Sequence, residues 1–256
     1  MAHIVKILDL LSLTHDVKQF KVEKPEGYSF IPGQATEVAI NKEGWKQEKR
    51  PFTFTSLPED DHLEFVIKSY RDHDGVTNHL DGVIPGDELI IDDSWGAIQY
   101  KGKGVFIAGG AGVTPFIAIL KHLKSKGELE GNKLFFANKT RKDVILESYF
   151  HEILGEDFVS ILDKEKLDGH EHGRIDMEFL KKHLVDFSQE FYVCGPPPMI
   201  ESVSTNLKQL GANPEGITFE EQKKEVFKKK RQLEKVGVFL WFLEIIENLF
   251  LSIRCG

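Results

Sequence analysis

An arginine, an aromatic and a hydroxyl stand within four residues at Arg50-Pro51-Phe52-Thr53, and hydroxyls go on alternating with aromatics through Phe54-Thr55-Ser56. An arginine fork suits a phosphate, an aromatic face suits a flat ring system, and a hydroxyl offers a hydrogen bond. The same residues also read as an edge strand with one polar face. A second segment, Gly109-Gly110-Ala111-Gly112-Val113-Thr114-Pro115, follows the apolar run Val105-Phe106-Ile107-Ala108. A strand that ends in glycines lets backbone approach a ligand, and the next helix offers free N–H groups to a phosphate. Thr114 is the expected N-cap, and Pro115 suits the first turn. Pro115 stands where the usual dinucleotide fingerprint has its third glycine, so a ligand-free tight turn is the competing reading. A third segment, Tyr192-Val193-Cys194-Gly195-Pro196-Pro197-Pro198-Met199, again stops a strand at a glycine. Ligands of open parallel sheets bind at the carboxyl ends of strands, so this loop and the glycine loop are expected on one edge. Cys194 reads either as a small buried hydrophobe or as part of that site. Last, Val66-Ile67-Lys68 precedes Gly75-Val76-Thr77, where Thr77 is placed to cap a short helix facing a phosphate.

These segments need elements to hold them. Apolar-rich runs over residues 3–13, 17–22, 35–40, 52–56, 63–69 and 88–92 are separated by turn residues such as Pro32-Gly33 and Pro85-Gly86-Asp87. Short strands at such spacing predict a sandwich or closed barrel, with one helix over 77–80. After residues 100–104 the pattern changes. Strands over 105–108, 134–137, 158–162 and 191–194 alternate with helices over 115–125, 144–154, 176–184 and 199–210, the mark of a parallel α/β sheet.

The 256 residues are 41% hydrophobic and 29% charged, ordinary for a soluble globular protein and enough for two domains. A net charge of −8 argues against nucleic acid as a partner. Two distant cysteines, Cys194 and Cys255, make no disulfide framework and cannot ligate an all-cysteine iron–sulfur cluster. The first residues lack the pattern of a signal peptide, so a cytoplasmic protein is expected. His73 and His170-Glu171-His172 read as loop, and no metal site is expected. Residues 223–235 are basic, and 236–253 are mostly apolar with Glu244, Asn248 and Ser252 at helical spacing. Its glutamates oppose a membrane crossing. Attachment to a membrane surface, docking on a protein and an atypical terminus are the three readings.

Five motifs occur in register: Phe30-Ile31-Pro32-Gly33-Gln34, Arg50-Pro51-Phe52-Thr53, Gly75-Val76-Thr77, Gly110-Ala111-Gly112-Val113-Thr114-Pro115 and Cys194-Gly195-Pro196-Pro197-Pro198-Met199. Together, over roughly residues 2–222, they resemble the ferredoxin–NADP⁺ reductase superfamily, in particular its bacterial flavodoxin and ferredoxin reductases. The resemblance implies a six-stranded antiparallel Greek-key flavin barrel over 1–100. A five-stranded parallel-sheet nucleotide-binding domain over 101–222 follows it, and then the tail 223–256. It implies FAD rather than FMN, with NADPH or NADH as co-substrate. Arg50, beside Pro51, would hold the flavin pyrophosphate. Phe52 would lie on the isoalloxazine, where the family more often has tyrosine, and Thr53 would hydrogen-bond near N5. Val66, Ile67 and Lys68 would line the ribityl and phosphate part, and Gly75, Val76 and Thr77 the pyrophosphate. Gly110, Gly112, Val113, Thr114 and Pro115 would bind the nicotinamide nucleotide, with Asn138 at the next strand end. Cys194, with Gly195 and Pro196, would sit beside the nicotinamide. Phe219 would approach the flavin and Glu220 the nicotinamide side. Thr53, Cys194 and Glu220 are the expected catalytic positions. The basic run Asn138-Lys139-Thr140-Arg141-Lys142 leans towards NADPH, and Asp163 leans towards NADH. The implied activity moves a hydride from NAD(P)H to FAD and electrons onward to ferredoxin, flavodoxin or an oxygenase component. Reduction of free flavin or another small acceptor is an alternative, as is a redox-sensing subunit without turnover.

Overall fold

Alternation of inward and outward side chains builds the first half. The computed structural model describes residues 2–72, 74–96 and 98–219; His73, Glu220 and the tail 223–256 fall outside the described residues. In β1 (His3–Ser12), Val5 and Ile7 turn inward, and in β2 (Val17–Glu23) so do Phe20 and Val22. They meet residues of β3 (Gln34–Ile40), β4 (Arg50–Thr53), β5 (His62–Lys68) and β6 (Glu88–Ile91). The antiparallel order is β4-β3-β6-β1-β2-β5, which leaves β4 and β5 as its two ends. A single bridge, Phe54 to Phe65, joins those ends and nearly closes a barrel. Phe54 is fully buried there and stacks on Phe30, with centroids 4.3 Å apart. Truncating such a ring to alanine costs about 3–5 kcal/mol.

The barrel differs from the expectation in two places. A seventh strand, β7 (Trp95–Gly96), pairs with β3. The strand expected over 52–56 instead runs from Arg50 to Thr53. Pro51 is tolerated because β4 is an edge strand, where a missing N–H leaves no partner wanting. The expected helix is α1 (Val76–Leu80).

The second half is a parallel sheet in the order β11-β10-β9-β8-β12-β13. Its strands are β8 (Gly104–Gly109), β9 (Lys133–Asn138), β10 (Phe158–Leu162), β11 (Glu171–His172), β12 (Glu190–Cys194) and β13 (Ile217–Phe219). Five strands were expected, and the two-residue β11 adds a sixth at the edge, where His172 was read as loop. Both faces are covered, which is why these strands are continuous apolar runs. Phe106 and Ala108 face α2 (Thr114–Lys126) and α3 (Glu147–Leu154). Val105 and Ile107 face α4 (Met177–His183) and α5 (Pro197–Gln209). Helix α3 begins three residues later than the expected 144. A capped turn at Arg141–Asp143 comes first, and Leu146 adopts a left-handed φ of 54°.

The α2 face of the sheet packs on the barrel, since Val17, Val66 and Ile98 share one apolar cluster with Val113, Phe116 and Ile117. Gly33 explains its motif at this junction. Its φ is +92°, and a Cβ there would strike the Ile98 carbonyl and come within 3.1 Å of Ile119 Cδ1. The connection between the halves is clasped by Tyr192, whose hydroxyl accepts from the N–H groups of Lys101 and Gly102 and donates to the Gly102 carbonyl at 2.7 Å. Among the described residues, no helix is long and apolar enough to cross a membrane.

Candidate functional site

The first candidate site is a seam where pairing stops. Past the Phe54–Phe65 bridge, β4 and β5 share no ladder, so Arg50–Thr53 and Val66–Lys68 face a gap with strand edges unpaired by each other. Such edges are free to accept a ligand in place of a strand. Burial increases along β4: Arg50 and Pro51 are exposed, Phe52 lies half-buried on the barrel core, and Thr53 is buried. The Arg50 Nη1 donates to the Lys49 carbonyl at 2.7 Å, and Nη2 lies 3.8 Å from Glu48. Ile67 turns into the barrel core, so only its backbone is at the gap. Lys68 is ion-paired with Asp16 at 2.7 Å. Val76 is buried in the barrel core, and the cap of α1 is Gly75 with no side-chain hydrogen bond; Thr77 does not cap the helix as expected.

The second site is a crevice at the sheet's switch point. From β8 the chain proceeds to β9, β10 and β11 on one side, then returns to β12 and β13 on the other. Loops at the carboxyl ends of β8 and β12 therefore flank a crevice, the place where open α/β sheets bind ligands. The two loops touch. A Cβ on Gly112 would strike the Cys194 carbonyl and come 2.7 Å from the Gly195 Cα. One on Gly109 would strike the Met199 sulfur and come 3.0 Å from Pro196 Cδ. Gly110 is different: its φ is +54° and nothing lies within 4 Å of its Cβ position. Gly112 serves the close approach of chain to chain, whereas Gly110 leaves open space at a helix start, as a phosphate cradle requires. A 3₁₀ turn at Gly110–Val113 precedes α2, so Thr114 is the first helical residue and not its cap. Pro115 follows in the first turn as expected. Cys194 is buried at the end of β12, and Phe219 is 44% exposed at the end of β13.

Seam and crevice meet at two threonines. Thr114 Oγ1 donates to the Ala111 carbonyl at 3.0 Å, so it accepts from Thr53 Oγ1, 2.7 Å away. The Thr53 proton is thereby committed, and its lone pairs are what it offers a ligand. Strands β5 and β9 both run alongside the Gly110–Val113 turn. Asn138 ends β9, 8% exposed, and neither its amide nitrogen nor its oxygen has a hydrogen-bond partner. Buried amides are normally satisfied, so this one fits a ligand group at the strand end. Lys139 and Lys142 are exposed beyond it, whereas Arg141 is held by Glu147 at 3.1 Å.

Three features escaped the sequence. Glu64, on β5, is buried against Lys121 of α2, with Nζ to Oε1 at 2.9 Å. Burial pushes its carboxyl up, but the Lys121 charge and hydrogen bonds from Lys121, Thr55 and Gln19 outweigh that and hold it below the usual range. Trp45 lies against His79 of α1, with centroids 3.7 Å apart and the rings tilted by 37°. His170 pairs with Glu147 at 2.5 Å. Among the described residues one trio of possible metal ligands, His15, Asp16 and Asp143, comes together, and the Lys68 ammonium already sits on Asp16.

Comparison with known proteins assigns a domain type to each half of the chain. Residues 2–87 match an FAD-binding domain, and residues 106–205 match an oxidoreductase NAD-binding domain. The chain is 29% identical over 213 residues to NADH-cytochrome b5 reductase 2 of Mycosarcoma maydis, covering 74% of this chain and 60% of that protein. It is 28% identical over 230 residues to the reductase component of propane 2-monooxygenase from Rhodococcus jostii, covering 81% and 60%. It thus spans about three fifths of the length of these relatives. Its fold matches the FAD/NAD-binding domain of nitric oxide dioxygenase from Vibrio cholerae, with a TM-score of 0.76 at 19% identity over 85% of this chain and 97% of the other. A ferredoxin NADP⁺ reductase from Neisseria gonorrhoeae, with bound FAD and NADP, matches with a TM-score of 0.75 at 20% identity, over 86% and 98%.

Proposed function

The chain belongs to the ferredoxin–NADP⁺ reductase-like superfamily, and on that premise we propose that it is an NAD(P)H-dependent flavoprotein reductase serving a one-electron protein acceptor. The observation that carries the reading is the Thr53–Thr114 hydrogen bond, because it brings the flavin seam and the nucleotide crevice into contact. FAD, when bound, takes an electron pair from the nicotinamide and releases it singly.

The protein's part is to bind and align. Residues 1–100 form the flavin unit and 101–222 the nucleotide unit. Arg50, exposed at the seam, binds the flavin diphosphate, and the half-buried Phe52 offers its face to the ring system. Thr53 accepts a hydrogen bond at the ring edge, since its own proton is spent on Thr114. The Gly110–Val113 turn and the start of α2 at Thr114 present N–H groups to the nucleotide diphosphate, and Asn138 supplies a further polar contact. Cys194 and its loop wall the nicotinamide side and exclude water. The exposed Lys139 and Lys142 favour a 2′-phosphate, and so NADPH, over a bare ribose.

Names among the relatives, reductases of cytochrome b5 and of oxygenases, support a protein acceptor such as a ferredoxin, flavodoxin, cytochrome or oxygenase component. A cytoplasmic protein whose residues 223–256 contact either a protein or a membrane surface completes the reading; equal liposome co-sedimentation with and without that segment would remove the membrane alternative. The function itself is tested on purified protein. A flavin absorption spectrum that bleaches under anaerobic NADPH or NADH is expected, and the faster coenzyme identifies the physiological one. A flavin that neither coenzyme bleaches would overturn the enzyme assignment.

A further inference from the structure

Helix α2 carries the nucleotide loop at its head and is tied to the barrel at two points. The first is Thr114 to Thr53. The second lies seven residues on, about 10 Å along the helix. There Lys121 Nζ donates to the Thr55 carbonyl at 2.8 Å and to Glu64 Oε1 at 2.9 Å. Thr53 ends β4 and Thr55 lies two residues beyond it, so both ties reach the same stretch of chain, and the second also reaches β5 through Glu64. Glu64 is otherwise fully engaged, accepting from the Thr55 hydroxyl at 2.8 Å and from the Gln19 amide. It is 8% exposed.

A buried ion pair is a poor way to gain stability, since apolar residues of like size usually do as well. What it adds is direction. The apolar contacts around it, Val66 and Ile98 against Val113 and Ile117, tolerate sliding because hydrophobic burial is non-directional. One hydrogen bond at Thr114 is a pivot; a second tie at Lys121 removes the rotation about it. We propose that Lys121, through Glu64 and the Thr55 carbonyl, is a positioning residue that makes α2 a strut and sets the angle at which the nucleotide loop faces the flavin strand. This rests on the function proposed above, because the alignment matters only if both cofactors bind.

The test compares Lys121→Met, which keeps the apolar stem, with Lys121→Met/Glu64→Gln, which avoids leaving a lone buried carboxylate, and with Lys121→Arg, which can remake both contacts. Two readouts are needed. Spin labels on Glu26→Cys and Lys208→Cys, in a Cys255→Ser background, report the distance distribution between the halves. Anaerobic stopped-flow reports flavin reduction. The distribution should broaden in both Met variants. Reduction should slow about tenfold or more, as expected for an ångström-scale misplacement. Nucleotide affinity should move less than about threefold, and Lys121→Arg should restore most of the rate. A double variant with the parent's distance distribution and rate would overturn the proposal. If the parent's flavin is reduced by neither coenzyme, the proposed function fails, and the distance distribution alone then decides whether the strut exists.

Discussion

The seam proposed for flavin and the crevice proposed for nucleotide are built by opposite means. In the barrel, a site opens because two edge strands stop pairing after Phe54–Phe65, and side chains on those strands face the gap. In the sheet, every strand is paired through to its end, and the site is made beyond the ends by loops packed backbone to backbone at Gly112 and Cys194. The seam depends on side-chain chemistry, and the crevice depends on the absence of side chains. Substitutions should therefore fail in different ways on the two sides.

The largest effect is expected at Gly112→Ala. Its Cβ would collide with the Cys194 carbonyl, and both partners are backbone, which cannot rotate away. Flavin content should stay normal while reduction by nucleotide falls about a hundredfold, the scale of an ångström misplacement. Loss of flavin instead would mean the two sites are not separable. Next is Arg50→Ala, which removes a charged donor and leaves the backbone alone. A charge-assisted hydrogen bond is worth about 1.5–3 kcal/mol, so flavin dissociation, followed by fluorescence, should weaken roughly ten- to hundredfold. Normal occupancy would remove Arg50 from the seam. Gly110→Ala sharpens the contrast within one loop. There the space is open but φ is +54°, so the cost is backbone strain of about 1–2 kcal/mol in thermal unfolding, with milder loss of rate than at Gly112. The smallest effect is on pH. The Glu64 carboxyl is held down in the folded state, chiefly against burial by Lys121, with Thr55 and Gln19 assisting and Tyr149 also feeling its charge. Its contribution to stability is present above the unfolded value, about 4.3, and is lost as pH falls through the lower folded value. Acid titration of denaturant midpoints should show that loss in the parent and not in Lys121→Met/Glu64→Gln.

The same contrast decides what could be read from the sequence. Residues 158–162 were legible to the residue because a buried strand bounded by polar residues has one reading. The glycine loop was legible as a turn that admits backbone, but not that Gly112 and Gly110 serve different ends, since that depends on a loop eighty residues away. Both threonine caps were misplaced for a local reason. A 3₁₀ turn ahead of α2 and an extended Gly75 ahead of α1 shift the helix starts, and propensity does not register such shifts. Strand β11 is too short to carry a period. The Lys121–Glu64 pair joins residues 57 apart, each of which alone reads as a solvated charge.

The Tyr192 clasp bears on how such a protein can be recombined. Tyr100 stacks on Phe106 and Tyr192, and the Tyr192 hydroxyl closes around Lys101 and Gly102, while Ile98 belongs to Gly33 on the other side. The joint between these two sets of contacts is therefore Gln99. A chimera spliced there keeps each half with its own fastenings. One spliced after Gly102 would leave a buried phenol holding a foreign linker, and the two halves would arrive intact but out of step.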